Sequence, residues 1–238
     1  MSVGSTELTE SGGAGSAGAG AGTESQAAPQ PQSALDRSWW VRAPAVLVAP
    51  RAIFASLRDD SVEDAERRQE PLAAIAALAG IAAVLPSPTF RRMLNDASVT
   101  VTLIPVLAFV AGTLYAMVTY WLGGGLLYGA ARRLGSEGSW RRSRHTLALA
   151  AAPLALSLVT FWPIRIAVYG QDLFRTGGDD YGRGDAIFGG IYLGVVAWCV
   201  VLLALGVRTV QGWTWARAAA AVALAAAFPI LIALASTL

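Results

Sequence analysis

Five apolar blocks dominate the chain, at roughly 71–90, 98–131, 146–168, 186–207 and 216–237. A helix that crosses a bilayer needs about 20 mostly apolar residues, at about 1.5 Å of rise each. The last four blocks meet that requirement. The first, PLAAIAALAGIAAVLPSPTF, is interrupted by Pro86 and Pro88, so a re-entrant or interfacial segment competes with a full span there. Only 14% of the 238 residues are charged, against roughly a quarter in soluble domains. The expected fold is all-α: a polytopic membrane protein with a five-helix transmembrane bundle.

The blocks set the domain organisation. Residues 1–34 consist largely of Gly, Ser, Ala, Gln and Pro, with no large apolar side chain after Leu8, and read as a disordered low-complexity tail. This stretch has neither the basic start nor the apolar run of a secretory signal, so later segments are expected to drive insertion. Residues 35–70 read as a cytoplasmic or interfacial segment. In LDRSWWVRAPAVLVAPRAIFASLR, Trp39 and Trp40 stand beside Arg37 and Arg42, a pairing suited to lipid headgroups. Pro50 suits a first helical turn, and Ile53, Phe54 and Leu57 share one helical face. The stretch either lies on the membrane or packs on the chain's own spans. DDSVEDAERRQE reads as a solvated, charged connector, and residues 71–238 as the five-span domain.

Arginine placement orients the bundle. Every one of the 18 basic residues is Arg, which together with the Ala and Gly usage suggests a GC-rich bacterial genome. With five spans, 13 arginines fall on the amino-terminal side and 5 on the other; with the first block not spanning, the split is 11 to 7. The five-span arrangement separates charge better. The positive-inside rule then puts the amino terminus in the cytoplasm and the carboxyl terminus outside, in a multi-pass plasma-membrane protein. RRLGSEGSWRRSRH becomes a short cytoplasmic loop, with Trp140 at the interface. Its Arg141, Arg142 and Arg144, like Trp39 and Trp40, are candidate contacts for lipid headgroups. The net charge of +2 and the scattered arginines argue against nucleic acid as a partner.

Chemistry-bearing residues are scarce at membrane depth. The interiors of blocks one, two, four and five hold no Asp, Glu, Lys or His, the usual marks of ion pathways and proton relays. Arg165, beyond Pro163 and near Trp162 and Tyr169, reads as interfacial, with a buried, paired arginine as the alternative. His145, the only histidine, reads as a passive loop residue, and Cys199 as a small apolar residue in a buried helix. Asp172, Asp179, Asp180 and Asp185 lie in a Gly-rich external turn without calcium-loop spacing. No catalytic, metal or cofactor site is expected, and the chain reads as not an enzyme. Gly125/Gly129 and Gly190/Gly194 are candidate helix-packing faces, because small residues four apart let helices approach closely in lipid. Gly123, Gly124 and Gly125 are expected to loosen or bend the long second block. Pro105, Pro153, Pro163 and Pro229 are further candidate kinks.

Three stretches carry a resemblance to the Yip family of small membrane proteins. APRAIFASLRDD resembles the family's stretch before the first span. YGAARRLGSEGSWRRSRHTLALAAAPLALSL resembles its glycine-bearing loop and the following helix; Gly135 and Gly138 flank Ser136 and Glu137 where paired glycines are common. WCVVLLALGVRTVQGWTWARAAAAV resembles the penultimate span and its turn, through Gly206, Val207, Arg208, Val210, Gln211, Arg217 and Ala218; Gln211 stands where a histidine is common. The resemblance covers about residues 48–236. It implies an all-helical five-span protein with a cytoplasmic amino terminus and no catalytic residues. The resulting expectation is a non-enzymatic membrane protein that organises lipid or partner proteins, or its own copies in a homo-oligomer. The alternative is a small-solute transporter or channel component.

Overall fold

The computed structural model describes Val41, residues 44–59, 61–95, Thr100, residues 102–170, Leu173 and residues 183–235, with backbone alone at Arg183, Ile232 and Ala233. The residue 1–34 tail, Trp39, Trp40 and Asp172, Asp179 and Asp180 lie outside the described residues. Among those described, the structure is helical, without a strand.

The first helices follow their caps. α1 (Pro50–Ala55) opens on a proline and runs into a 3-10 turn at Ser56–Arg58. α2 (Val62–Val84) begins at Ser61, whose hydroxyl accepts the Asp64 N–H, and Glu63 and Asp64 complement its positive end. The charged stretch expected to be a solvated connector is thus largely the start of a helix, and Arg68 within it is fully buried. Pro86 cannot supply the N–H that would continue α2. Ser87 then accepts the Phe90 N–H, and α3 (Pro88–Leu94) departs at 70°. The first apolar block is a bent pair, not a straight rod.

The second block is one 31-residue rod: α4 (Leu103–Val118), a π-helical turn (Thr119–Gly123) and α5 (Gly124–Arg133). The loosening expected at Gly123–Gly125 takes the form of that π turn, which ends at the first of the three glycines. α6 (Trp140–Ala150) and α7 (Ala152–Tyr169) form a 30-residue rod. α8 (Arg183–Gln211) and α9 (Trp215–Ala235) complete the chain. Three rods are long and apolar enough to cross a membrane: Leu103–Arg133, Trp140–Tyr169 and Gly184–Gln211. The bent α2–α3 pair brings the number to four if it is one span, and Trp215–Leu231 is a shorter apolar helix.

α2 is the central packing element, lying on α4, α6 and α7, while α8 joins α1, α6, α7 and α9. Where α2 crosses α4 the backbones touch. A Cβ on Gly80 would sit 2.4 Å from the Gly112 carbonyl oxygen, and one on Gly112 would sit 2.4 Å from the Ile81 Cα. Val106, Phe109, Val110, Leu114, Met117 and Val118 of α4 and Ile187, Ile191, Leu193 and Trp198 of α8 remain exposed. In water such faces would drive association. Beside acyl chains they lose nothing, because each rod satisfies its own backbone.

Candidate functional site

The three stretches that resemble the Yip family meet at one end of the bundle, and they meet as a closed ring. Arg58 of the first donates to the Thr209 carbonyl of the third, from Nε at 2.9 Å and Nη2 at 2.6 Å. Arg217 of the third donates from Nε, at 2.9 Å, and Nη2 to the Leu134 carbonyl of the second. Arg142 of the second donates from Nη2, at 2.9 Å, to the carbonyl of Arg58. Each link places a guanidinium on a main-chain oxygen. Two of those oxygens end long helices, where the partial negative charge of the helix favours a cation.

Local sequence explains why those carbonyls are available. α5 and α8 both end in glycine at positive φ: Gly135 at 83° and Gly212 at 68°. After α5 the Ser136 N–H returns to the Ala131 carbonyl and Gly135 N–H to that of Arg132. After α8 the Trp213 N–H returns to the Arg208 carbonyl. This winding satisfies the last inner carbonyls and leaves Leu134 and Thr209 facing outward for the arginines. Ser136 also donates to Gln211 Oε1 at 2.9 Å and accepts the Gly138 N–H at 3.0 Å. Gln211, at the position where the family often has histidine, therefore works as a hydrogen-bond acceptor for the loop.

Apolar packing sits directly beneath the ring. Phe54 and Leu57 are fully buried, in one cluster with Leu72, Leu149, Leu202 and Val210. Gly206 makes room for Phe54: a Cβ there would lie 2.7 Å from the Phe54 ring and 2.9 Å from the Thr146 methyl. Of the two expectations for the stretch, α1 packs on the chain's own helices. Arg68 locks the following turn by donating to the Asp59 carbonyl at 2.6 Å. The Ser61 N–H, bound to Asp59 Oδ1 at 3.0 Å, holds the Asp59 carboxyl below the usual carboxylate range.

Several residues read from the sequence lie elsewhere than expected. Arg142 is a ring member, half-buried, and Arg141 is half-buried beside it. Arg144 is buried, 4% exposed, with its guanidinium 4.0 Å from the Trp121 ring centroid, 4.9 Å from that of Trp140 and 5.2 Å from that of Tyr120. His145 is fully buried inside α6, not in a loop, because Ser139 caps the helix six positions earlier. Arg165 is buried as well, and pairs with Asp185 at 3.0 Å beneath Trp162 and Phe188. Asp185 thus sits in the first turn of α8, half-exposed and paired with that guanidinium, and not in a loop. Cys199 is half-buried.

The glycine faces also differ. Within the chain, a Cβ on Gly129, Gly190 or Gly194 would meet nothing within 4 Å, and one on Gly125 would meet only Trp140 Nε1, at 3.6 Å. Gly125 and Gly129 instead floor an open groove of about 380 Å³ between α5 and α9, with Arg133 at its rim. Close approaches are found at Gly80, Gly112, Gly124, Gly184 and Gly206 instead. Gly80 and Gly112 are each followed or preceded at four residues by alanine, as Gly112–Ala116 and Ala76–Gly80, so a search for small residues of either kind finds them.

Apolar rods with lipid-suited outer faces, tied at one end by arginine–carbonyl links, define a helical multi-pass membrane protein. The family model described as Yip1 domain matches residues 45–237, and the chain belongs to that family. No curated protein and no solved structure matches the chain. Among the described residues, no group of three or more His, Cys, Asp or Glu side chains is placed to hold a metal.

Proposed function

We propose that this Yip-type membrane protein is a non-enzymatic scaffold whose ring end gathers anionic lipid or partner proteins, with that end in the cytoplasm and all five apolar segments crossing the plasma membrane. One observation carries the reading. The ring spends its hydrogen bonds on fixing three distant stretches into a single face, and leaves Arg51, Arg132 and Arg133 exposed around it. A fixed cationic face suits recruitment. The alternative, a solute path, gets no support from Arg165, which is salt-bridged and closed over by aromatic rings.

The test is site-specific photocrosslinking in native membranes. A crosslinker replacing Arg51 or Glu137 at the ring end is expected to capture a defined set of neighbours. The same group at Met93, exposed on α3, is expected to capture only bulk lipid. Identical captures from the two ends would remove the reading.

A further inference from the structure

Arg144 stands apart from the other buried arginines. Arg68 donates to carbonyls and Arg165 to a carboxylate. Arg144 Nε and Nη1 are buried with no hydrogen-bond acceptor, and among the described residues no carboxylate pairs with it. The helix opposite is shaped for it: a Cβ on Gly124 would lie 2.4 Å from the Arg144 Cγ. Trp121, Trp140 and Tyr120 surround the guanidinium, and the Tyr120 hydroxyl beside it is also buried without a partner.

Stacking does not answer the need. A cation–π contact uses the face of the guanidinium. Its N–H groups lie in the plane, in a fork that matches two oxygens of one anion. Among the described residues the guanidinium meets aromatic faces and no hydrogen-bonded acceptor, which leaves its fork open to an anion from outside the chain.

Depth selects the kind of anion. Arg144 lies four residues inside α6, about 6 Å below its first residue Trp140. Trp121 and Trp140 are each 41% exposed, their rings 5.2 Å apart, as tryptophans at a headgroup layer are placed. The acceptor abundant at that depth is a phospholipid phosphate. Trp140, at the first position of its helix, lies over the guanidinium on the side nearest the helix end.

We propose that Arg144 is the phosphate site of one anionic phospholipid, with Trp121 and Trp140 flanking the headgroup. The proposal rests on the scaffold reading and names one lipid class for it. An anionic headgroup is favoured over a zwitterionic one because no carboxylate among the described residues neutralises Arg144, and choline would bring a second cation to it.

The experiment is native mass spectrometry of the full-length protein in detergent, with phosphatidylglycerol or phosphatidylcholine of matched chains. Wild type is expected to retain one phosphatidylglycerol, about tenfold more strongly than phosphatidylcholine, as a charge-assisted hydrogen-bonded pair would give. Arg144→Gln should abolish the preference, Arg144→Lys, which keeps the charge without the fork, should weaken it, and Arg92→Gln, exposed on α3, should leave it intact. If Arg144→Gln does not fold, the wild-type comparison and the lysine variant decide. Equal retention of both lipids by wild type, or a preference that survives Arg144→Gln, overturns the site. Displacement of the lipid by millimolar inorganic phosphate overturns the lipid assignment in favour of free phosphate. Protein captured from positions 51 and 137 without any lipid preference would remove this site and leave the scaffold reading standing.

Discussion

Arg58 places two hydrogen bonds on the carbonyl oxygen of Thr209, 151 positions later in the chain, while its own carbonyl accepts one from Arg142. One residue thus joins the segment before the first apolar block to the ends of two long helices. Arg58→Gln keeps a donor but loses charge and reach, and is expected to cost about 1 kcal/mol, the modest figure proper to an exposed hydrogen bond. Phe54→Ala, directly beneath, empties a fully buried aromatic site and is expected to cost about 3–5 kcal/mol. Thermal unfolding in detergent measures both. Equal effects would mean that the ring anchors α1 as strongly as the packing below it.

The α2–α4 crossing sets a second expectation. Gly112→Leu forces bulk against the Ile81 backbone, which has no side-chain freedom to yield. Overpacking of this kind costs about 1–3 kcal/mol, and more where backbone must move. Gly194→Leu adds the same bulk where the chain offers no neighbour within 4 Å. Unfolding should occur at a clearly lower temperature for the first variant and at an unchanged one for the second. A matching drop for Gly194→Leu would show that this face meets another helix, and light scattering on the same sample would show whether that helix belongs to a second copy.

What the sequence disclosed divides along a physical line. The apolar rods were legible because a run of apolar residues has one stable outcome in lipid, and the break at Pro86 because proline acts locally. Helix-packing glycines were harder. Gly190 and Gly194 have the right spacing, but spacing does not say which face meets a neighbour, and in the contact actually made Gly80 meets Ala116 as well as Gly112. Arg144, His145 and Arg165 read as interface or loop residues because charge usually seeks water. Arg144 is covered by Trp121 and Arg165 is paired with Asp185, both on other rods that become neighbours only once the bundle is formed, while Trp140 stands one turn before Arg144 on its own helix. The ring was visible only as three short resemblances, since each of its links joins stretches far apart in the chain.

The Arg165–Asp185 pair yields a third prediction. The Arg165 side chain is 4% exposed and that of Asp185 is 46% exposed. Losing one partner of a fully buried pair costs about 3–5 kcal/mol; solvent at Asp185 screens this one, so Asp185→Asn is expected to cost about 1–3 kcal/mol. The double variant Arg165→Met, Asp185→Asn removes the desolvated charge together with its partner and should recover at least half of the loss. Thermal unfolding of the two single variants and the double variant closes the cycle. A double variant as destabilised as the sum of the singles would show that the pair is not coupled, and that Arg165 is held mainly by Trp162 and Phe188.

Orientation is the last expectation, and it follows from charge. The ring end holds Arg51, Arg58, Arg67, Arg68, Arg132, Arg133, Arg141, Arg142, Arg144, Arg208 and Arg217, and arginine near span ends is retained on the cytoplasmic side. Glu137 is exposed in the loop of that end, whereas Ser139 caps α6 and Ser136 holds Gln211, so Glu137 is the position that tolerates a probe. With Cys199→Ala as background, Glu137→Cys in intact cells should resist an impermeant thiol reagent until the membrane is opened. Thr176→Cys, between the last two long rods, should react at once. Labelling of Glu137→Cys in intact cells would place the ring outside. It would then have no cytoplasmic partner to gather, and the proposed recruitment role would fall with the topology.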